Sequence, residues 1–116
     1  MSIDGFFHRK YNANTYNCAH FVCEVWESLT GQSLADRVEG LLRPRAERHV
    51  SFAMLRRLQR LERPISPCVV VMTRPRSAPH VGIYLDGRIL HIEKEGVTYQ
   101  PIEIASLGFK TMGYYK

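Results

Sequence analysis

His80-Val81-Gly82-Ile83-Tyr84-Leu85-Asp86-Gly87-Arg88-Ile89-Leu90-His91-Ile92-Glu93 is the stretch that decides the fold. Two apolar runs flank Asp86-Gly87, a pair suited to the positive φ angles of a tight hairpin turn, and this predicts strands over His80–Leu85 and Arg88–Glu93. A two-residue loop pairs Leu85 with Arg88, Ile83 with Leu90 and Gly82 with His91. A four-residue loop about the same centre keeps that register, whereas a three-residue loop breaks it. His80 and Gly82 then share a face, so His80 and His91 share it too, as diagonal neighbours roughly 7–8 Å apart at the backbone. Gly82 leaves the space in which two imidazoles meet. The register also sets Glu93 across from His80, so His91 or Glu93 is placed to orient the His80 ring. His91 is preferred, because Glu93 lies nearer the sheet end and solvent.

Working outward, Cys68-Val69-Val70-Val71-Met72 is a continuous, mostly β-branched run that predicts a central strand, and Arg74–Pro79 reads as a loop. Downstream, Glu95-Gly96 reads as a turn, Val97–Gln100 as a strand, Ile104–Leu107 as one helical turn and Met112–Tyr115 as a closing strand. Before Pro64 and Pro67 the period is helical. Cys18, Phe21, Val22, Val25, Trp26 and Leu29 form one stripe and predict a helix over Cys18–Thr30, with Asn17 as N-cap and Gly31 at C′. Cys18 is thereby on the first turn of the packed face and is expected to point inward, toward a sheet. A second helix is expected from Ser33 to just before Pro44, burying Leu34, Val38, Leu41 and Leu42. A third, Ser51–Glu62, is expected to bury Phe52, Leu55, Leu58 and Leu61. The first fifteen residues read as an irregular approach. Helices first and an antiparallel sheet afterwards make an α+β fold, one domain over residues 1–116.

The chain has 116 residues, 45% apolar and 23% charged, which fits a small soluble domain with a single core. No apolar run is long enough to span a bilayer. Met1-Ser2-Ile3-Asp4-Gly5 lacks the basic leader and apolar stretch of a signal peptide, so the product is expected to be made in the cytoplasm and carried elsewhere by other means. Three cysteines are too few for a disulfide scaffold and read as thiols. The formal net charge is +5, with seven arginines (43, 45, 48, 56, 57, 60 and 63) between Arg43 and Arg63. That region reads first as a solvated helix face, and second as a surface for docking onto an acidic or larger assembly. Nucleic acid ranks last, because no aromatic residues interleave.

A thiol at a helix start and two histidines on a hairpin outline nucleophilic catalysis. The helix N-terminus and an imidazole favour the thiolate, the imidazole takes its proton, and a second polar group fixes the ring. The candidate roles are Cys18 as nucleophile, His80 as general base and then acid, and His91 as orienter. His20, two residues past Cys18, points away from it on a helix and is expected to bond backbone or solvent. Cys23 and Cys68 read as core residues. The spacing of Cys18, His20, Cys23 and His8 is poor for zinc, so no metal or cofactor is expected.

These residues resemble the NlpC-like cysteine peptidases, a papain-related superfamily that cleaves peptide bonds of bacterial cell walls. The likeness rests on a cysteine at a helix start, then a strand of the kind His80-Val81-Gly82-Ile83-Tyr84, then His91 after a short turn, and it covers about residues 11–93. It implies a papain-like fold, peptidase or amidase activity on peptidoglycan peptides, and an upstream tyrosine that helps hold the oxyanion. Tyr11 and Tyr16 are the candidates, Tyr11 slightly preferred, with the Cys18 backbone N–H as second donor. The compact length resembles members encoded with bacteriophage tails, which implies a place at a tail tip. Asn17-Cys18-Ala19-His20 departs from the family's Asp-Cys-Ser-Gly, which leaves the substrate open. Asn17-Cys18-Ala19-His20-Phe21-Val22 is also similar to the Asn-Cys-Glu-His-Phe-Val motif of lecithin:retinol-acyltransferase-like proteins, which carry histidine before cysteine; here the order is reversed. The competing expectations are therefore a thiol acyltransferase and a non-catalytic assembly protein.

Overall fold

In the computed structural model, which describes residues 3–38, 58–77 and 79–116, the elements are built on one antiparallel sheet. Its strands are β1 (Arg60–Leu61), β2 (Cys68–Thr73), β3 (His80–Leu85), β4 (Arg88–Glu93), β5 (Gly96–Pro101) and β6 (Thr111–Tyr115), in the order β1-β6-β2-β3-β4-β5. The α+β class is as expected. β2 is central, between β6 and β3, and its residues Cys68–Met72 are all buried.

The hairpin forms in the expected register: Leu85 faces Arg88, Tyr84 faces Ile89 and Ile83 faces Leu90. Asp86 and Gly87 have φ of 52° and 81°, the two positive values that let a two-residue turn follow the right-handed twist of its strands. The regular ladder stops at Ile83. Beyond it Gly82 still closes on His91, so that a Cβ added there would lie 3.1 Å from the His91 Cβ, the Leu90 carbonyl oxygen and the Met72 methyl.

Helix α1 spans Cys18–Thr30, the range its stripe predicts. Asn17 Oδ1 accepts from the N–H groups of Ala19 (2.8 Å) and His20 (3.4 Å), and Gly31 ends the helix at φ 73°. Phe21, Val22, Val25 and Trp26 pack against Val69, Val71, Val81, Ile83, Leu90 and Ile92 on one face of the sheet. Strand alternation sends Val70, Met72 and Ile89 to the other face. There they meet Ala105 and Ile102 of a short helix, α2 (Ile102–Ala105), together with Phe109, Met112 and Tyr114.

Three expectations change. The helix expected over Ser51–Glu62 does not reach Glu62, because Arg60 and Leu61 form β1 against Tyr115 and Tyr114. Gln59 and Lys116 exchange backbone hydrogen bonds of 3.1 and 2.9 Å, and the Arg60 guanidinium lies over the Tyr115 ring. Leu58 and Leu61 fit a helical period, but pairing with a strand distant in sequence decides their state. Of the helix expected from Ser33, the described part is one 3-10 turn, Ala35–Arg37, between buried Leu34 and Val38. The late helical turn begins at Ile102, two residues early, and passes into a 3-10 turn over Ser106–Gly108. Residues 39–57, with Arg43, Arg45, Arg48, Arg56 and Arg57, lie outside the described residues; Arg60 and Arg63 are exposed.

Candidate active site

The hairpin brings the two histidines together. His80 opens β3 and pairs across to Met72, while His91 sits near the end of β4. His80 Nε2 lies 2.8 Å from His91 Nδ1, a hydrogen bond between the rings, whose planes meet at 75°. Alternation and the missing side chain at Gly82 make this contact, as the register implies.

Three further residues surround the pair. The Glu93 carboxylate lies 3.7 Å from His91 Nδ1, the same nitrogen that bonds His80, so it stands beside the contact between the rings. Arg74, just past β2, sets Nη2 3.6 Å from Glu93 and donates from Nε to the Gly108 carbonyl at 2.8 Å. The Phe109 ring touches both arms: the Arg74 guanidinium lies over it, 4.2 Å from its centroid, and the His80 ring is nearly parallel to it at 5.6 Å. His80, His91, Glu93, Arg74 and Phe109 thus form a closed circuit of contacts. Neither Arg74 nor Phe109 is marked by the sequence. Each comes from a loop with no periodicity, and only the assembled sheet places them.

The electrostatics favour neutral rings. Burial, then the neighbouring His91 and Arg74, lowers His80 to about 3. Burial also lowers His91, against the pull of Glu93 and together with Arg74. Outside His80 a recess of about 230 Å³ opens to solvent, lined by Tyr11, Arg74, His80, Glu93, Lys94 and Glu95. Of the two tyrosines considered for the oxyanion, Tyr11 therefore lines this recess. The Tyr16 hydroxyl instead donates to Glu24 at 2.9 Å, on the carboxylate oxygen that Arg9 also bonds, and burial followed by Glu24 pushes it up to about 12.

Cys18 sits on the first turn of α1, 6% exposed, in the apolar cluster between that helix and the sheet. It points inward, as expected. His80, His91 and Glu93, however, project from the opposite face, the one that Phe109 covers. Parity along a strand tells which residues share a face, but not which face a helix takes. Tyr11 belongs to both sides: it packs on the α1-side cluster and lines the recess beside His80.

His20 caps its own helix: its Nδ1 accepts the Asn17 N–H at 3.1 Å and completes a capping box. Cys23 and Cys68 are unbridged and packed; burial pushes Cys23 up to about 11, with help from Glu27, and raises Cys68. Among the described residues, His80, His91 and Glu93 are a group whose ligand atoms all lie within 4.8 Å of one another, a spacing open to a metal ion. Among the described residues no helix is long and apolar enough to cross a membrane. Comparison of the chain with protein-family models, curated proteins and solved structures finds no match.

Proposed function

We propose that this is a thiol hydrolase of the NlpC-like, papain-related kind, acting on amide bonds of bacterial cell-wall peptides. The observation that carries the reading is the 2.8 Å bond from His80 to His91. It engages Nε2 of His80 and leaves Nδ1 as the nitrogen through which that ring would take a proton from a thiol. Cys18 supplies the thiol from the helix packed across β3 and β4. Its Sγ must reach Nδ1 around the start of β3, at the end of the sheet where Tyr11 bridges the two sides.

In this mechanism Cys18 Sγ gives its proton to His80 and bonds the amide carbonyl carbon. The C–N bond breaks, and the amine leaves with the proton that His80 returns. Water, deprotonated by His80, then cleaves the thioester to a carboxylic acid and restores the thiol. His91 holds the ring and its tautomer, and the Glu93 carboxylate adds its negative charge beside the same His91 nitrogen. Tyr11 is the side-chain donor for the oxyanion, and the Cys18 backbone N–H at the helix start is the second donor. A place at a phage tail tip, reached through the Arg43–Arg63 region, belongs to this reading as the means of delivery.

Cys18→Ala is expected to abolish release of new amino groups from wall fragments, while thermal unfolding shifts by no more than about 1 kcal/mol. Turnover retained in that variant rules the mechanism out. One observation favours a second reading, a non-catalytic member of an assembly: the 6% exposure of Cys18 within the α1 core. On that reading Cys18→Ala changes neither turnover, which is absent throughout, nor assembly.

A further inference from the structure

We propose that His80 Nε2, His91 Nδ1 and the Glu93 carboxylate bind a divalent ion of the zinc class, taken up in place of the bond between the two rings. Two imidazoles and one carboxylate are the donors such an ion prefers. With metal–nitrogen and metal–oxygen bonds near 2.0–2.2 Å, tetrahedral donors stand about 3.3 Å apart. His80 and His91 nitrogens are 2.8 Å apart and must open by about half an ångström; His91 and Glu93 at 3.7 Å must close by about as much. All three donor atoms lie within 4.8 Å of one another, so the His80–Glu93 pair has the furthest to close, by up to about 1.5 Å. They come from one hairpin whose register is pinned by its turn, so the backbone holds them together without the ion.

The surroundings fit a three-ligand site with an open position. His80 and Glu93 line the recess, from which water can supply the fourth ligand. The Phe109 ring lies against both imidazoles. Arg74 opposes the ion, since its guanidinium stands 3.6 Å from Glu93 and competes for that carboxylate; Lys94 adds positive charge at the rim and Glu95 offsets it. The site should therefore be of modest affinity, and removing the Arg74 charge should tighten it.

Binding has a consequence for the proton. The hydrogen bond between the rings needs one N–H and one lone pair, whereas the ion needs a lone pair from each. His80 must then carry its proton on Nδ1, with no net change in protons. On the hydrolase reading, on which this consequence alone rests, Nδ1 is the atom that receives the Cys18 proton, so the ion switches the base off.

The test is titration of the metal-free full chain with Zn²⁺ by calorimetry, and with Co²⁺ by visible absorption. One ion per chain is expected, with binding at least tenfold weaker in Glu93→Gln, lost in His91→Ala, tighter in Arg74→Gln and retained in Cys18→Ala. Glu93 and Arg74 are partly exposed, so those two variants report even where His91→Ala unfolds. Equal binding by wild type and Glu93→Gln overturns the site, as does loss of the ion in Cys18→Ala, which places it on thiols. None of these readouts needs turnover, so they stand apart from the fate of the hydrolase reading. Zn²⁺ should also slow alkylation of Cys18 in wild type but not in Glu93→Gln, and an unchanged rate overturns the switch.

Discussion

His80 and His91 touch each other, yet the roles assigned to them differ, and the contacts of each ring give the order in which their loss should matter. His80 lines the recess and is the ring proposed to move protons, so His80→Ala is expected to lower kcat/KM on a wall peptide by at least about a hundredfold. His91 is 4% exposed and in the proposed mechanism acts on substrate only through His80, so its removal should cost less; His91→Gln, which can still accept a hydrogen bond, should recover part of the loss. Steady-state rates with each variant check this order. An equal loss in Glu93→Gln with none in His91→Ala would reassign the orienting role to Glu93. This pairing was legible in the sequence because it follows from a turn type and a period of two. Arg74 and Phe109 were not, because a loop residue acquires its neighbours only when strands distant in sequence are assembled.

At the scale of elements, α1 and the hairpin were legible for the same reason: each carries its own start, stop and period. Asn17, Gly31 and the Cys18-to-Leu29 stripe mark the helix, while Asp86-Gly87 fixes the hairpin. β1 was not legible, because two residues hold no period and their pairing with β6 is non-local. The hairpin is tightly packed at Gly82, where an added Cβ meets the His91 Cβ, the Leu90 carbonyl oxygen and the Met72 methyl at 3.1 Å. Gly82→Ala is expected to destabilise the protein by about 1–3 kcal/mol, and to part the imidazoles as the strands give way. Chemical denaturation measures the first effect. A variant as stable as wild type would show that β3 and β4 yield without strain.

For the whole molecule, the proposed mechanism requires two layers to cooperate. α1 and Cys18 occupy one face of the sheet and the imidazole pair the other, and Tyr11 packs on the α1-side cluster while lining the recess beside His80. The sequence shows that Cys18 heads an amphipathic helix and that His80 and His91 share a face. Which face receives the helix depends on the twist and covering of the complete sheet, through α2 and Phe109. Reactivity of the thiol decides whether the layers communicate. The most direct measurement is the alkylation rate of each cysteine against pH, mapped by mass spectrometry with chelator present, in wild type and His80→Ala. Cys23, raised to about 11 by burial, supplies an internal reference with only about one part in a thousand thiolate at pH 8. A hydrolase predicts that Cys18 reacts well below pH 8, far faster than Cys23, and loses that advantage in His80→Ala. A Cys18 as slow as Cys23 in both proteins contradicts the activated pair and leaves the domain a binding partner rather than a catalyst.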